Sequence, residues 1–134
     1  MSTIKTNTLT GTTSAGSIVV TGEGGSTTTN LQQGLCKHWV SFDPLNSNNL
    51  DDSYNNASVT DNGTGVHTFT NTNNMANANH APTIATEIQS SYQDAADAIL
   101  SSGITTTGMK GYHVEGNSAT DTETLTMHTW GDLA

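Results

Sequence analysis

Five histidines (His38, His67, His80, His113 and His128), twelve acidic residues and one cysteine are the groups of this chain with chemistry to offer. No two histidines form a His-x-His pair or stand at helical i, i+4 spacing, and neither HExxH nor CxxC occurs, so a metal set within one chain is not written in the sequence. Each histidine falls in or beside a stretch of strand character and reads as a surface or satisfied sheet residue. A threefold assembly could still bring one histidine from each chain to a common axis. Carboxylates are adjacent in Asp51-Asp52 and nearby in Asp94 and Asp97. Glycoside hydrolysis needs two carboxyls converging across a cleft, and here turn and helix-face charges are the simpler reading. Asp61-Asn62-Gly63-Thr64-Gly65 lacks the alternating acids and final glutamate of a calcium loop. GxSxG, P-loop and GxGxxG patterns are missing, and Gly22-Glu23-Gly24-Gly25 carries no Lys-Ser/Thr to make a phosphate cradle. Cys36 has no intrachain partner and reads as a small buried thiol. The expectation is a chain without catalytic residues, cofactor or metal, with a glycan depolymerase as the enzymatic alternative.

The remaining large polar rings are aromatic. Trp39, Trp130, Tyr54, Tyr92 and Tyr112 could stack on sugar rings. With so few other bulky groups, Trp39 and Trp130 are expected to join Val40 and Phe42 in the structural core.

The elements that must carry these residues are strands. Hydrophobic residues make up 32% and charged residues 11% of 134 positions, which fits one turn-rich domain and neither a charged disordered tail nor two cores. Thr, Ser, Asn and Gly supply about half the chain, a composition that favours turns and extended backbone over helix. The net charge of −9, with three lysines and no arginine, leaves no basic cluster for phosphate contacts and excludes nucleic acid as a partner. Met1–Asn7 has no apolar signal core, and no run is long enough to span a bilayer. Synthesis in a cytosol without membrane insertion is expected, and the sequons at Asn56 and Asn62 then carry no glycan.

Residues 1–29 read as an extended arm, with Ile4, Leu9, Ile18, Val19 and Val20 as assembly residues, ending in a Gly/Thr-rich linker over 22–29. Residues 30–134 read as a small antiparallel β-sandwich with one short helix. Strands are expected at 35–42, 54–60, 66–70, 109–114 and 122–130. In the first, His38, Val40 and Phe42 share one face; in the last, Leu125, Met127 and Thr129 do. Asn62, Gly63 and Gly65 make the strongest hairpin signal, with Gly63 expected at its tightest point. Tyr92, Ala96 and Ile99 recur at helical spacing, which predicts a helix over 90–100.

Four segments, in order along the chain, resemble a family of small structural modules of marine bacteriophage tails and fibres. Leu31–Phe42 is similar to that family's LQQGLxKxWVxF, Asp52–Gly65 to its DSFNVSSITDNGTG, and Asn74–His80 to its MANANY. Gly131–Ala134 matches its GDLA chain end. The departures, Cys36-Lys37-His38 and His80 for an aromatic, fall at packing positions. The resemblance implies a virion protein assembled in the host cytoplasm, foremost a tail fibre or appendage engaged in host attachment. A capsid decoration or knob protein is the alternative. It also implies self-association, as a homotrimer, beside other virion proteins, with a host-surface glycan as the outside partner.

Overall fold

Alternation of buried and exposed side chains, period two, organises most of this protein. The computed structural model describes residues 3–14, 17–46, 49–87 and 95–134, and the chain divides into two units, Met1–Leu35 and Cys36–Ala134.

In the first unit β1 (Val19–Thr21) pairs antiparallel with β2 (Thr28–Asn30). The glycine-rich stretch expected to act as a linker is therefore largely a hairpin turn, closed by the Gly22 N–H donating to the Thr27 carbonyl at 2.8 Å. Asn30 ends the hairpin and caps α1 (Leu31–Gly34): its side-chain oxygen accepts from the Gln32 and Gln33 amides at 2.9 and 3.3 Å. This is the N-cap chemistry that a short helix needs. The boundary between units thus falls at 35/36, later than the 29/30 read from composition.

The second unit is the expected antiparallel β-sandwich. Its strands are β3 (Cys36–Asp43), β4 (Asn49–Tyr54), β5 (Asn56–Asp61), β6 (Val66–Asn71) and β7 (Ala81–Thr86), then β8 (Ala95–Ile99), β9 (Gly108–Glu115), β10 (Ser118–Ala119) and β11 (Leu125–Trp130). One sheet runs β4-β3-β11-β7. The other runs β10-β9-β6-β5, with β8 also paired to β9. His38, Val40 and Phe42 share the inner face of β3, and Leu125, Met127 and Thr129 that of β11, as the alternation predicts.

The apolar centre is small: Val40, Phe42, Leu125 and Met127 from one sheet meet Phe69 and Met109 from the other. Phe42 and Phe69 touch edge to face at 5.4 Å, an arrangement aromatic pairs favour. Gly111 lies among Ile84, Met127 and Phe69, where a Cβ would meet the Ile84 side chain at 2.7 Å. Its missing side chain leaves room for those three side chains.

Three expectations need correcting. Residues 95–99 form strand β8 rather than helix: Asp97 pairs with His113 and Ile99 with Gly111. A free edge of β9 and a buried partner for Asp97 outweigh the modest helix preference of the alanines. Residues 90–94, the rest of that segment and the site of Tyr92, lie outside the described residues. The strand expected at 54–60 is divided: Tyr54 ends β4, and Asn55, at φ 59, makes the tight junction to β5. Trp130 is not a core residue, as its 38% exposure shows, and Trp39 is only half-buried. Both sit on the outward-facing phase of their strands.

Candidate functional site

The outward phase of the four-stranded sheet gathers both tryptophans and Tyr54. On β3 these positions are Trp39, Ser41 and Asp43, and on β11 Thr126, His128 and Trp130. The cross-strand register sets Trp39 between Tyr54 on β4 and His128 on β11, so the three stand in one row across the sheet. With neighbouring strands about 4.8 Å apart, the row spans about 10 Å. Trp130 stands beside it two residues on, its ring 6.2 Å from that of His128 and tilted 27° from parallel. Tyr54 is 51% exposed.

The ladder is irregular at this end, since Thr129 pairs with His38 but Trp130 with Cys36. Lys37 is the extra residue of the resulting bulge, a device that locally redirects a strand. The Cys36 thiol is half-buried and donates to the His38 carbonyl at 3.0 Å. It is therefore a seated thiol, less enclosed than expected.

Inside the sandwich, histidines fill volume that larger cores give to aliphatic residues. His38, His67 and His113 are all at or below 1% exposure, and His80 is buried as well. His67 lies edge-on to Phe42 at 5.0 Å, and its Nε2 is 3.9 Å from Asp121. Loss of solvation on burial lowers its pKa, opposed by the charges of Asp121 and Asp61. Burial likewise lowers that of His38, opposed by a hydrogen bond with Asn56.

His113 is the best-connected of the four. Its Nδ1 donates to Asp97 at 2.7 Å and its Nε2 lies 3.5 Å from Glu115, itself buried. Thr86 donates its hydroxyl and its amide to the same Asp97 carboxylate at 3.1 Å each. Asp97 thereby joins β7 of one sheet to β8 and β9 of the other. His67 and His113 lie toward one end of the core, His38 and His80 toward the other. Among the described residues no group of three or more His, Cys, Asp or Glu side chains is placed to hold a metal ion.

The expected turn residues are where the hairpin pattern puts them. Asn62, Gly63 and Gly65 connect β5 to β6, with φ +113 at Gly63 and +70 at Gly65. Gly63 faces open space, however, whereas a Cβ on Gly65 would meet the His113 carbonyl at 2.5 Å and the Thr120 amide at 2.8 Å. The tightest point is Gly65, not Gly63. Its amide donates to Asp121 at 2.7 Å and its carbonyl accepts from the His113 amide at 2.8 Å.

The arm residues Ile4, Leu9, Val19 and Val20 are 84%, 59%, 57% and 51% exposed, and Ile18 is half-buried. None of the described residues of the first unit is buried. Tyr112 is half-buried on the outward phase of β9, away from the aromatic row. Nothing in the sequence marked which face of the four-stranded sheet the tryptophans would take. The strict alternation of Leu125, Met127 and Thr129 with His128 and Trp130 separates the two faces of β11 without saying which turns inward.

The fold and the site define a small antiparallel β-sandwich with an aromatic outer face and a separate, coreless N-terminal unit. Compared with protein-family models, curated proteins and solved structures, the chain matches none of them.

Proposed function

We propose that this chain is a non-enzymatic structural protein of a bacteriophage particle, a tail-fibre or tail-appendage component that takes part in host adhesion. It is assembled in the host cytoplasm as a homotrimer, beside other virion proteins. The observation that carries the reading is the first unit: it exposes β-branched and aliphatic side chains and buries none of its described residues. A hairpin with strands of three residues does not hold itself together in water. Its apolar side chains and open strand edges suit pairing with another chain. The ordered resemblance of four segments to phage structural modules points the same way, and the aromatic face of the sandwich supplies a surface for attachment.

Deleting residues 1–21 tests this. The truncated protein is expected to remain folded and soluble and to drop out of assembled particles. Incorporation at the normal level overturns the role of the arm. Copy number then separates the locations, since a low number per particle belongs to the tail and a number matching the capsid lattice to the head.

A further inference from the structure

We infer that the outer face of the four-stranded sheet binds a neutral, unbranched glycan, laid across the strands on Tyr54, Trp39 and His128 and bounded by Trp130. The inference rests on the adhesive reading above and names the ligand class of that face.

The composition of the face is its first support. The register assigns to it Asn49, Asp52 and Tyr54 on β4, and Asp43, Ser41 and Trp39 on β3. From β11 come Thr126, His128 and Trp130, opposite Ala85, Thr83 and Ala81 of β7. Every bulky side chain among these is a flat ring, and Leu, Ile, Val and Met are absent from these positions. Pyranose units present an apolar C–H face and a rim of hydroxyls. Flat rings match the first, while Ser, Thr and Asp side chains match the second. A contact between protein surfaces draws on aliphatic side chains and Met as well.

Charge narrows the ligand further. The chain carries −9 with three lysines and no arginine, and the polar end of this face bears Asp43 and Asp52. Sialylated, sulfated or uronic sugars would meet repulsion. Uncharged hydroxyls can instead donate to the carboxylates in charge-assisted hydrogen bonds. Spacing agrees as well: ring positions one strand apart, about 4.8 Å, lie close to the repeat of a linear pyranose chain. The rings sit on paired strands, and His128 and Trp130 are already stacked at 6.2 Å. Little side-chain freedom is left to lose on binding.

Trp39 and Trp130 are the only tryptophans in the chain, so intrinsic fluorescence reads this face directly. Full-length protein is titrated with neutral gluco-, manno-, galacto- and xylo-oligosaccharides and with their sulfated or uronic counterparts. The expected result is a saturable change with at least one neutral series and a weaker one with its charged counterpart. Trp130→Ala should weaken it by about tenfold or more, a loss of about 1.4 kcal/mol. Tyr54→Ala, on an exposed edge-strand residue, is the second variant should Trp130→Ala fail to fold. No response across the neutral panel overturns the inference. If particle adsorption nevertheless depends on Trp130 and Tyr54, the face takes another class of receptor and the adhesive reading stands. If adsorption and assembly are both unaffected, that reading falls too. A Trp130→Ala protein of smaller assembly mass, with no sugar response in the parent, assigns the face to contacts between copies and overturns the glycan.

Discussion

An imidazole held edge-on against Phe42 is easier to bury neutral than charged. His67 sits there, nearly sealed from solvent, and burial lowers its pKa below the ordinary 6.5, as it does for His38. The sign follows from proton binding: between the folded pKa and 6.5 the unfolded chain takes up the proton and the folded one does not. Proton uptake by these histidines therefore takes nothing from stability at pH 7.5 and withdraws it as the pH falls through 6.5 toward their folded values. Melting temperature should decline from pH 7.5 to 5. His67→Phe, close in volume and free of any proton, should flatten part of that decline and melt higher than the parent at pH 5. An unchanged slope would mean that His67 is not the titrating group. The same economy explains why the tryptophans were misjudged. With only a third of the chain hydrophobic, size alone argued for Trp130 inside, whereas the strand phase filled those positions with His, Thr and Met. Alternation separated the two faces of β11 correctly; it carried no label for which one turns inward.

Hairpins were legible where glycine and asparagine cluster, and β5–β6 lies where Asn62-Gly63 put it. Which glycine matters most was not, because the crowding at Gly65 comes from His113 and Thr120, about fifty residues away. Gly63→Ala meets only backbone strain, for which about 1–2 kcal/mol is expected. Gly65→Ala adds to similar strain a Cβ inside contact distance of two backbone groups. It should cost about 3 kcal/mol or more. Thermal melts of the two variants check the order, and equal losses would show that the 65–113 contact yields without penalty. Strand β8 was missed for a related reason. Ala95–Ile99 has weak local preference, and its strand form is decided by the edge of β9 and by Asp97 reaching His113. Local sequence could not state either. Strand β4 was hidden by the Asn cluster that begins it, and β7 by Pro82, which an edge strand tolerates.

The β-sandwich class was readable from composition and period-two patterning, since neither depends on distant contacts. The division into units was read too early because Leu31–Gly34 belongs with the hairpin that Asn30 caps, not with the strand that follows. Among the described residues seven hydrophobic side chains are buried, with histidines toward both ends, a slender core for one domain. Association among copies would bury the arm's apolar residues and add what the single chain lacks. Light scattering of the full-length protein should give a mass near three times 14.0 kDa; a monomer at every concentration would refute the trimer. The seat of Cys36 has a practical consequence. As the chain's single thiol, at the bulge where β3 parts from regular pairing with β11, it is a natural stopwatch. Alkylation would be slow while its hydrogen bonds to the His38 and Thr129 carbonyls persist and quick once those strands separate. The reaction rate would then count openings of a single seam, without any engineered label.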